Sequence, residues 1–355
     1  MTPTTGTYAV KLTVLAIGAL LLFAPFLFQD VRSLEVAARI CIFIVLVASY
    51  DLLIGYTGIV SFAHTMFFGF GAYGAAILLK SMGPGWTPVI LGGIAGVAVS
   101  LVMAVAIGLL SLRVKAIFFA MITLAAASVV LVLTSQLSQL TGGEDGITYR
   151  APDLFKPATK ILTDADGKVL RLWGVAFNGK LAAYYFVFVT SLILFLLMLR
   201  FTASPLGTVL KAIRENEARA EAIGYRVVAY RTFVFCLSAT FASIAGTIYA
   251  VWLKYTGPDT SLSFAIMIDI LLMVVIGGMG TMWGAVIGAV LLILAQYYLR
   301  DLMGAASEAL HGIPVLPELL AADRWLFWLG IIFILLVYFF PKGIAGTAMA
   351  GGARR

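Results

Sequence analysis

Two histidines, His64 and His311, and two cysteines, Cys41 and Cys236, are the whole imidazole and thiol supply of these 355 residues. None stands in an H-E-x-x-H, C-x-x-C or G-x-S-x-G arrangement, so no metal site or nucleophilic triad is written locally. Both cysteines fall inside apolar runs, where a thiol serves as a small packing group and no disulfide is expected. Two glycine patterns imitate phosphate loops. Gly69-Phe70-Gly71-Ala72-Tyr73-Gly74 fits the dinucleotide fingerprint, but that pattern works only between a strand and a helix, and here it sits in an apolar run. The run 174–181 nearly matches a P-loop, yet Leu181 stands where the magnesium-binding hydroxyl belongs. The chemistry within reach is therefore the placement of a few charges in an apolar setting.

Those charges are Asp51, His64, Asp269 and Arg39. A charge near a bilayer centre costs at least ~2.5–3.5 kcal/mol on insertion scales, so each needs a reason. Asp269 and His64 are candidate pathway or gating residues. Against that, Asp269 can sit near the outer end of its span or be tied to a neighbouring helix, and His64 can be neutral and bonded across helices. Asp51, beside Gly55, reads as a cap or interfacial residue, and Arg39 as a side chain that snorkels to the surface.

The elements that must hold these groups are set by composition. Apolar residues make up 62% of the chain and charged residues 12%, against ~45–50% and about 25% in soluble domains. No soluble fold buries that much apolar surface. The expected fold is all-α, a polytopic transmembrane bundle in one domain, 1–355. At 1.5 Å rise, a core of ~30 Å takes about 20 residues per span. That ruler finds about ten spans: 12–28, 36–54, 59–79, 88–110, 116–136, 181–199, 232–253, 264–280, 282–299 and 325–340. A short loop at 55–58 and the glycines of 59–79 predict a broken or re-entrant element there. Glycines four apart, Gly280, Gly284 and Gly288, would share one helix face and let helices cross closely, and Gly69 and Gly71 are read as packing residues too.

Two polar segments interrupt the spans. Residues 137–180 are rich in Gly, Pro, Asp and Lys and predict a small cap or hairpin outside the membrane. Residues 200–231 carry a helical pattern instead. Ser204-Pro205 reads as an N-cap with proline in the first turn, Leu206, Leu210, Ile213, Ala220 and Ile223 recur near helical spacing, and Gly224 is the stop. With Lys211, Arg214, Glu215, Glu217, Arg219 and Glu221 among them, these residues cannot lie in hydrocarbon. The net charge of +7 is assigned to membrane orientation and lipid headgroups, with no nucleic acid. Basic residues favour a cytoplasmic 200–231 and cytoplasmic termini only when 137–180 is left out of the comparison.

Taken in order, the motifs resemble the LivM-type permease subunit of the branched-chain amino acid ABC importers, over nearly the whole chain. Asp51-Leu52-Leu53-Ile54-Gly55-Tyr56-Thr57-Gly58 with Ser61, His64, Phe67-Phe68-Gly69 and Gly71-Ala72-Tyr73 is similar to that family's third-span signature. Thr141-Gly142-Gly143-Glu144-Asp145-Gly146 resembles its T-G-G-x-D-G segment. Ser204-Pro205-Leu206-Gly207, Ala212-Ile213-Arg214-Glu215-Asn216-Glu217 and Ala220-Glu221-Ala222-Ile223-Gly224 resemble its cytoplasmic coupling segment. Gly277-Gly278-Met279-Gly280-Thr281-Met282-Trp283-Gly284 and Phe340-Pro341-Lys342-Gly343-Ile344 complete the order. Ala63 and Thr65 depart from the Gly and Ala that usually flank the histidine, and the importer pattern E-A-A-x-x-x-G is matched only at Gly224.

The resemblance implies a transport subunit, not an enzyme, in a prokaryotic inner membrane. It implies two separate cytoplasmic ATPase subunits that hold ATP and Mg, with no cofactor on this chain. It also implies a homologous second permease of LivH type and a periplasmic or surface solute-binding protein docking near 137–180. In the coupling segment, Arg214, Glu215, Glu217 and Arg219 would supply rim contacts to an ATPase and Leu210, Ile213 and Ile223 an apolar anchor, with Gly224 closing the helix. The cargo would be a branched-chain or related amino acid, with urea, amides or aromatic acids as the alternative on the same machinery. A stand-alone secondary transporter is the alternative of a different class.

Overall fold

The computed structural model describes residues 5–28, 30–111, 116–159, 171–172, 175–309 and 321–351. His311 and the bases Arg113 and Lys115 lie outside the described residues. Among the described residues, ten helical stretches are long and apolar enough to cross a bilayer. In chain order the first five are α1 (Thr5–Leu27), α2 (Val31–Thr57), α3 (His64–Met82), α4 (Trp86–Ser111) and α5 (Ala116–Gln136). After a one-turn α6 (Ser138–Thr141) come α7 (Gly179–Thr202), the short α8 (Pro205–Glu215) and α9 (Glu217–Ala222), and α10 (Val227–Leu253). A one-turn α11 (Pro258–Ser261) precedes α12 (Phe264–Gly277) and α13 (Met282–Ala309), and helices Trp325–Phe339 and Gly343–Gly351 end the described chain. The molecule is an all-α polytopic bundle.

α2 is its axis. From Val36 to Thr57 all but one of its residues are buried, packed by α7, α10, α12 and α13. Its sequence is apolar on every side, the pattern of a helix with no lipid face. α5 and the helix Trp325–Phe339 are equally apolar but exposed in this chain. Glycines bring the inner helices together. A Cβ on Gly71 would strike the Ser243 backbone of α10, and one on Gly74 the Gly92 carbonyl of α4. The dinucleotide-like pattern 69–74 is thus continuous helix inside α3.

Three expectations need correction. The element at 59–79 is not a broken helix: α2 runs on to Thr57, residues 58–63 are non-helical, and α3 is continuous from His64. Two backbone donors of this connection are paired, Phe62 N–H donating to Thr123 Oγ1 of α5 at 3.0 Å and Ala63 N–H to Ser61 Oγ at 3.2 Å. Gly280 is not on the helix face of Gly284 and Gly288. It lies in the turn before α13 with φ of 82°, while Gly284 and Gly288 pack against Gly277 and Met273 of α12. Finally, 204–224 is two helices, divided at Asn216. That residue is extended (φ −156°, ψ 99°) and its Oδ1 accepts the Arg219 N–H at 2.9 Å, capping α9 and ending α8.

The polar segments sit at opposite ends of the bundle, since α7 and α10 each run from one to the other. At one end, β1 (Ile147–Thr148) pairs antiparallel with residues Tyr255–Thr256 just beyond α10. Tyr149 there donates its hydroxyl to the Ala250 carbonyl at 2.9 Å and lies 2.8 Å from Thr256 Oγ1, and burial pushes this phenol above its usual range. Phe155, Trp86 and Phe186 form a three-ring cluster, Phe155 lying 5.2 Å from Trp86 and 5.3 Å from Phe186 between centroids. A two-residue hairpin, Arg171–Leu172 with Val175–Ala176, completes what is described of this cap.

Candidate functional site

α8 and α9 form the opposite end. Pro205 opens α8 in the first turn, where its missing N–H costs nothing. Ser204 occupies the N-cap position, but its hydroxyl donates back to the Phe201 carbonyl at 2.6 Å instead of capping α8. Leu210 and Ile213 are each 1% exposed, so they anchor α8 to this chain and are not available to a partner. Ile223 is 68% exposed beside Gly224, whose φ of 97° ends α9. Of the expected apolar anchor, only Ile223 faces out.

The charges divide in the same way. Arg214 stands at an exposed position, and its guanidinium reaches back to donate to the Gly55 carbonyl near the end of α2. Lys211 lies over the Tyr56 ring, 5.2 Å from its centroid. Glu217 is tied to Arg231 of α10 at 2.7 Å. Glu215, Arg219 and Glu221 are exposed. Arg214 and Glu217 therefore already hold partners within the chain, although both residues stay exposed.

Directly beneath this attachment, Asp51 Oδ1 accepts the Gly280 N–H at 2.7 Å. Asp51 is 1% exposed and is a buried tie, not an interfacial residue. It is a cap in a sense the sequence did not reveal: it satisfies a donor in the turn between α12 and α13, across 229 residues. Gly55 makes this possible, because a Cβ there would overlap both the Asp51 carboxylate and the Gly280 nitrogen. Gly280 in turn needs its left-handed φ to present that N–H.

The candidate pathway residues are held by partners. His64 Nε2 lies 2.8 Å from Ser49 Oγ of α2, and the ring meets Tyr50 edge-on at 5.2 Å. Ser238 of α10 donates to the Ser49 carbonyl at 2.6 Å, so α2, α3 and α10 meet here through polar groups. Asp269 accepts from Gln296 Nε2 at 2.9 Å, tying α12 to α13. Arg39 does not simply snorkel: it donates to the Tyr297 hydroxyl at 3.0 Å and stacks over Phe43 and Tyr297, 5.1 and 5.7 Å away. Gly69 abuts the Leu262 side chain. His64 and Asp269 are not brought together with Asp51 in one site, so the polar groups form three separate ties. Among the described residues no cluster of His, Cys, Asp and Glu could hold a metal. Sequence reasoning missed Gly55, Ser49 and Gln296 as partners, and only the closeness of Gly55 to Asp51 hinted at one of them.

A family model described as the branched-chain amino acid transport system, permease component, matches residues 33–340. The chain belongs to that family. Among the curated relatives of this permease, the high-affinity branched-chain amino acid transport system permease protein LivM of Salmonella typhimurium is 28% identical over 314 residues, covering 86% of this chain and 72% of the relative. The protein of the same name from Escherichia coli is 27% identical over the same shares. A probable branched-chain amino acid transport permease protein LivM of Methanocaldococcus jannaschii is 26% identical over 243 residues, 66% of this chain and 61% of its own length. No solved structure matches this permease significantly. It is a multi-pass inner-membrane protein, and the match spans both the Asp51 tie and the α8–α9 attachment.

Proposed function

We propose that this permease is one membrane subunit of an ATP-driven importer for branched-chain or closely related amino acids. Family membership and the printed names of the LivM relatives support the cargo. ATP and Mg belong to two cytoplasmic ATPase subunits that dock on α8–α9. A second, homologous permease of LivH type completes the pathway, and a solute-binding protein delivers cargo at the 137–180 end.

One observation carries the coupling: Arg214 of α8 is bonded to Gly55 of α2, the helix at the bundle's centre. A force on α8 therefore reaches the core directly, and through Asp51 and Gly280 it reaches the α12–α13 turn. Packed helices move as units, so a small displacement at α8 is passed on instead of being absorbed. Glu215, Arg219, Glu221 and Ile223, exposed and outside the ties described above, form a small amphipathic surface suited to a groove on a soluble subunit.

The test is uptake of labelled leucine into proteoliposomes containing this permease with its candidate partners. Uptake that needs ATP, the ATPase subunits and the binding protein supports the reading. Uptake driven by an ion gradient in the chain alone overturns it in favour of a secondary transporter.

A further inference from the structure

At the end of the bundle opposite α8, a cavity of about 360 Å³ opens between α2, α7, α10, α13 and the segment after α6. That volume falls within the ~300–1,000 Å³ usual for small-molecule sites. Its walls combine charge and aromatic surface in a way the ties described above do not use. Arg39, Lys180 and Lys254 line it from three different helices, with Glu35 as the acid of the wall and Tyr249 and Trp252 as aromatic faces. Among the described residues, none of the four charged groups takes part in a salt bridge. The Nε of Arg39 is buried without a hydrogen-bond partner. Its guanidinium is nevertheless held in place by Tyr297 and Phe43, so this cation is positioned before any ligand arrives.

Lys254 adds an independent sign. It closes α10 in the left-handed conformation (φ 61°), the one positive φ outside glycine among the described residues. Glycine would avoid the cost of roughly 1–2 kcal/mol that this conformation imposes on a side chain. What the lysine supplies instead is an ammonium at the mouth of the cavity. Burial, and then the charge of Lys180, lower its pKa.

The excess of cations calls for an anionic oxygen group, while Glu35 would repel a ligand that was only an anion. Glu35 and Arg39 stand four residues apart on one face of α2, so opposite charges face the cavity one turn apart. Aromatic faces also attract an ammonium. We propose that this cavity binds a primary-amine zwitterion, its anionic oxygens on Arg39, Lys180 and Lys254 and its ammonium between Glu35 and the faces of Tyr249 and Trp252. Two sources carry that chemistry: a free α-amino acid, and the headgroup of phosphatidylethanolamine. As an amino-acid site it rests on the proposed cargo and gives that cargo a landing place on the permease.

The full-length chain, with any subunits that copurify, is placed in nanodiscs with and without phosphatidylethanolamine, in the absence of ATP. Tritiated leucine binding is read by scintillation proximity and retained lipid by native mass spectrometry. In lipid-amine-free discs, leucine is expected to bind, with leucinamide and isopentylamine failing to compete because they lack the carboxylate. Arg39→Gln and Lys254→Gln are expected to weaken it about tenfold each, Arg39→Lys less, at unchanged helix content and elution volume. Absence of leucine binding together with phosphatidylethanolamine retained by the wild type and lost from both variants assigns the site to the lipid headgroup. Failure to hold either ligand, or equal binding by wild type and variants, overturns the proposal. Because no ATPase is needed, the result is separate from the coupling mechanism: ATP-driven uptake with no binding here would leave the importer standing and remove only this site.

Discussion

The guanidinium of Arg214 and the carbonyl of Gly55 meet across 159 residues, joining the short α8 to the most buried helix of the bundle. The contact uses a backbone oxygen that α2 leaves free near its end, as every helix leaves its last carbonyls unpaired. Arg214→Ala removes a charge-assisted bond, worth about 1.5–3 kcal/mol when buried and less at this partly exposed position. Arg214→Ala is expected to insert normally and to lose most substrate-stimulated ATP hydrolysis in the reconstituted importer, whereas Glu215→Ala, which breaks no ion pair among the described residues, should lose less. Measured side by side in proteoliposomes, equal activity of Arg214→Ala and wild type would detach α8 from the mechanism.

Gly55→Ala should be the more damaging change. The added methyl meets the Gly280 backbone nitrogen and the Asp51 carboxylate that accepts from it, so relief means breaking that bond. Overpacking of this kind costs about 1–3 kcal/mol. Gly18→Ala on α1 is the control, because nothing lies within 4 Å of its added Cβ. Thermal unfolding in detergent, followed by fluorescence-detected size exclusion, is expected to show a lowered midpoint for Gly55→Ala and an unchanged or raised one for Gly18→Ala.

Asp51 can be dissected by geometry. Asp51→Asn keeps an oxygen to accept the Gly280 N–H, while Asp51→Ala leaves that donor unpaired at a cost of about 1–3 kcal/mol. The same unfolding assay should place Asp51→Asn near wild type and Asp51→Ala well below it. Equal midpoints for the two would mean that the carboxylate serves something other than this tie.

Much of this molecule was legible in its sequence, and the limits have physical causes. Spans such as α4 and α5 declare themselves because hydrocarbon demands long apolar runs, and their ends match the expected bounds closely. The division at Asn216 was legible in principle, since Asn is a preferred cap, but an unbroken apolar periodicity from Leu206 to Ile223 hid it. Periodicity also says which face is apolar without saying what covers it, so Leu210 and Ile213 read as a partner's anchor when α8's own chain had claimed them. Long-range ties such as Asp51 to Gly280 are set by tertiary approach and leave no local spacing to read. The order of the motifs carried the family, but no motif carried the cavity behind Arg39 and Lys254.

Leu210 and Ile223, both on the apolar stripe of this segment, should now behave in opposite ways. Leu210 is packed at 1% exposure, and Leu210→Ala is expected to cost about 2–5 kcal/mol of stability through the cavity it leaves. Ile223 is 68% exposed on α9's outer side, so Ile223→Asp should leave the unfolding midpoint within a degree or so of wild type. What it should lose is the docked ATPase: an exposed apolar group at the centre of an interface is worth more than its charged neighbours, and burying a carboxylate there is unfavourable. Copurification of tagged ATPase subunits is expected to fall about tenfold for Ile223→Asp and to persist for whatever fraction of Leu210→Ala remains folded. If Ile223→Asp retains its ATPase while Leu210→Ala sheds it in the folded state, the docking face lies on α8 and the outward side of α9 is only solvated surface.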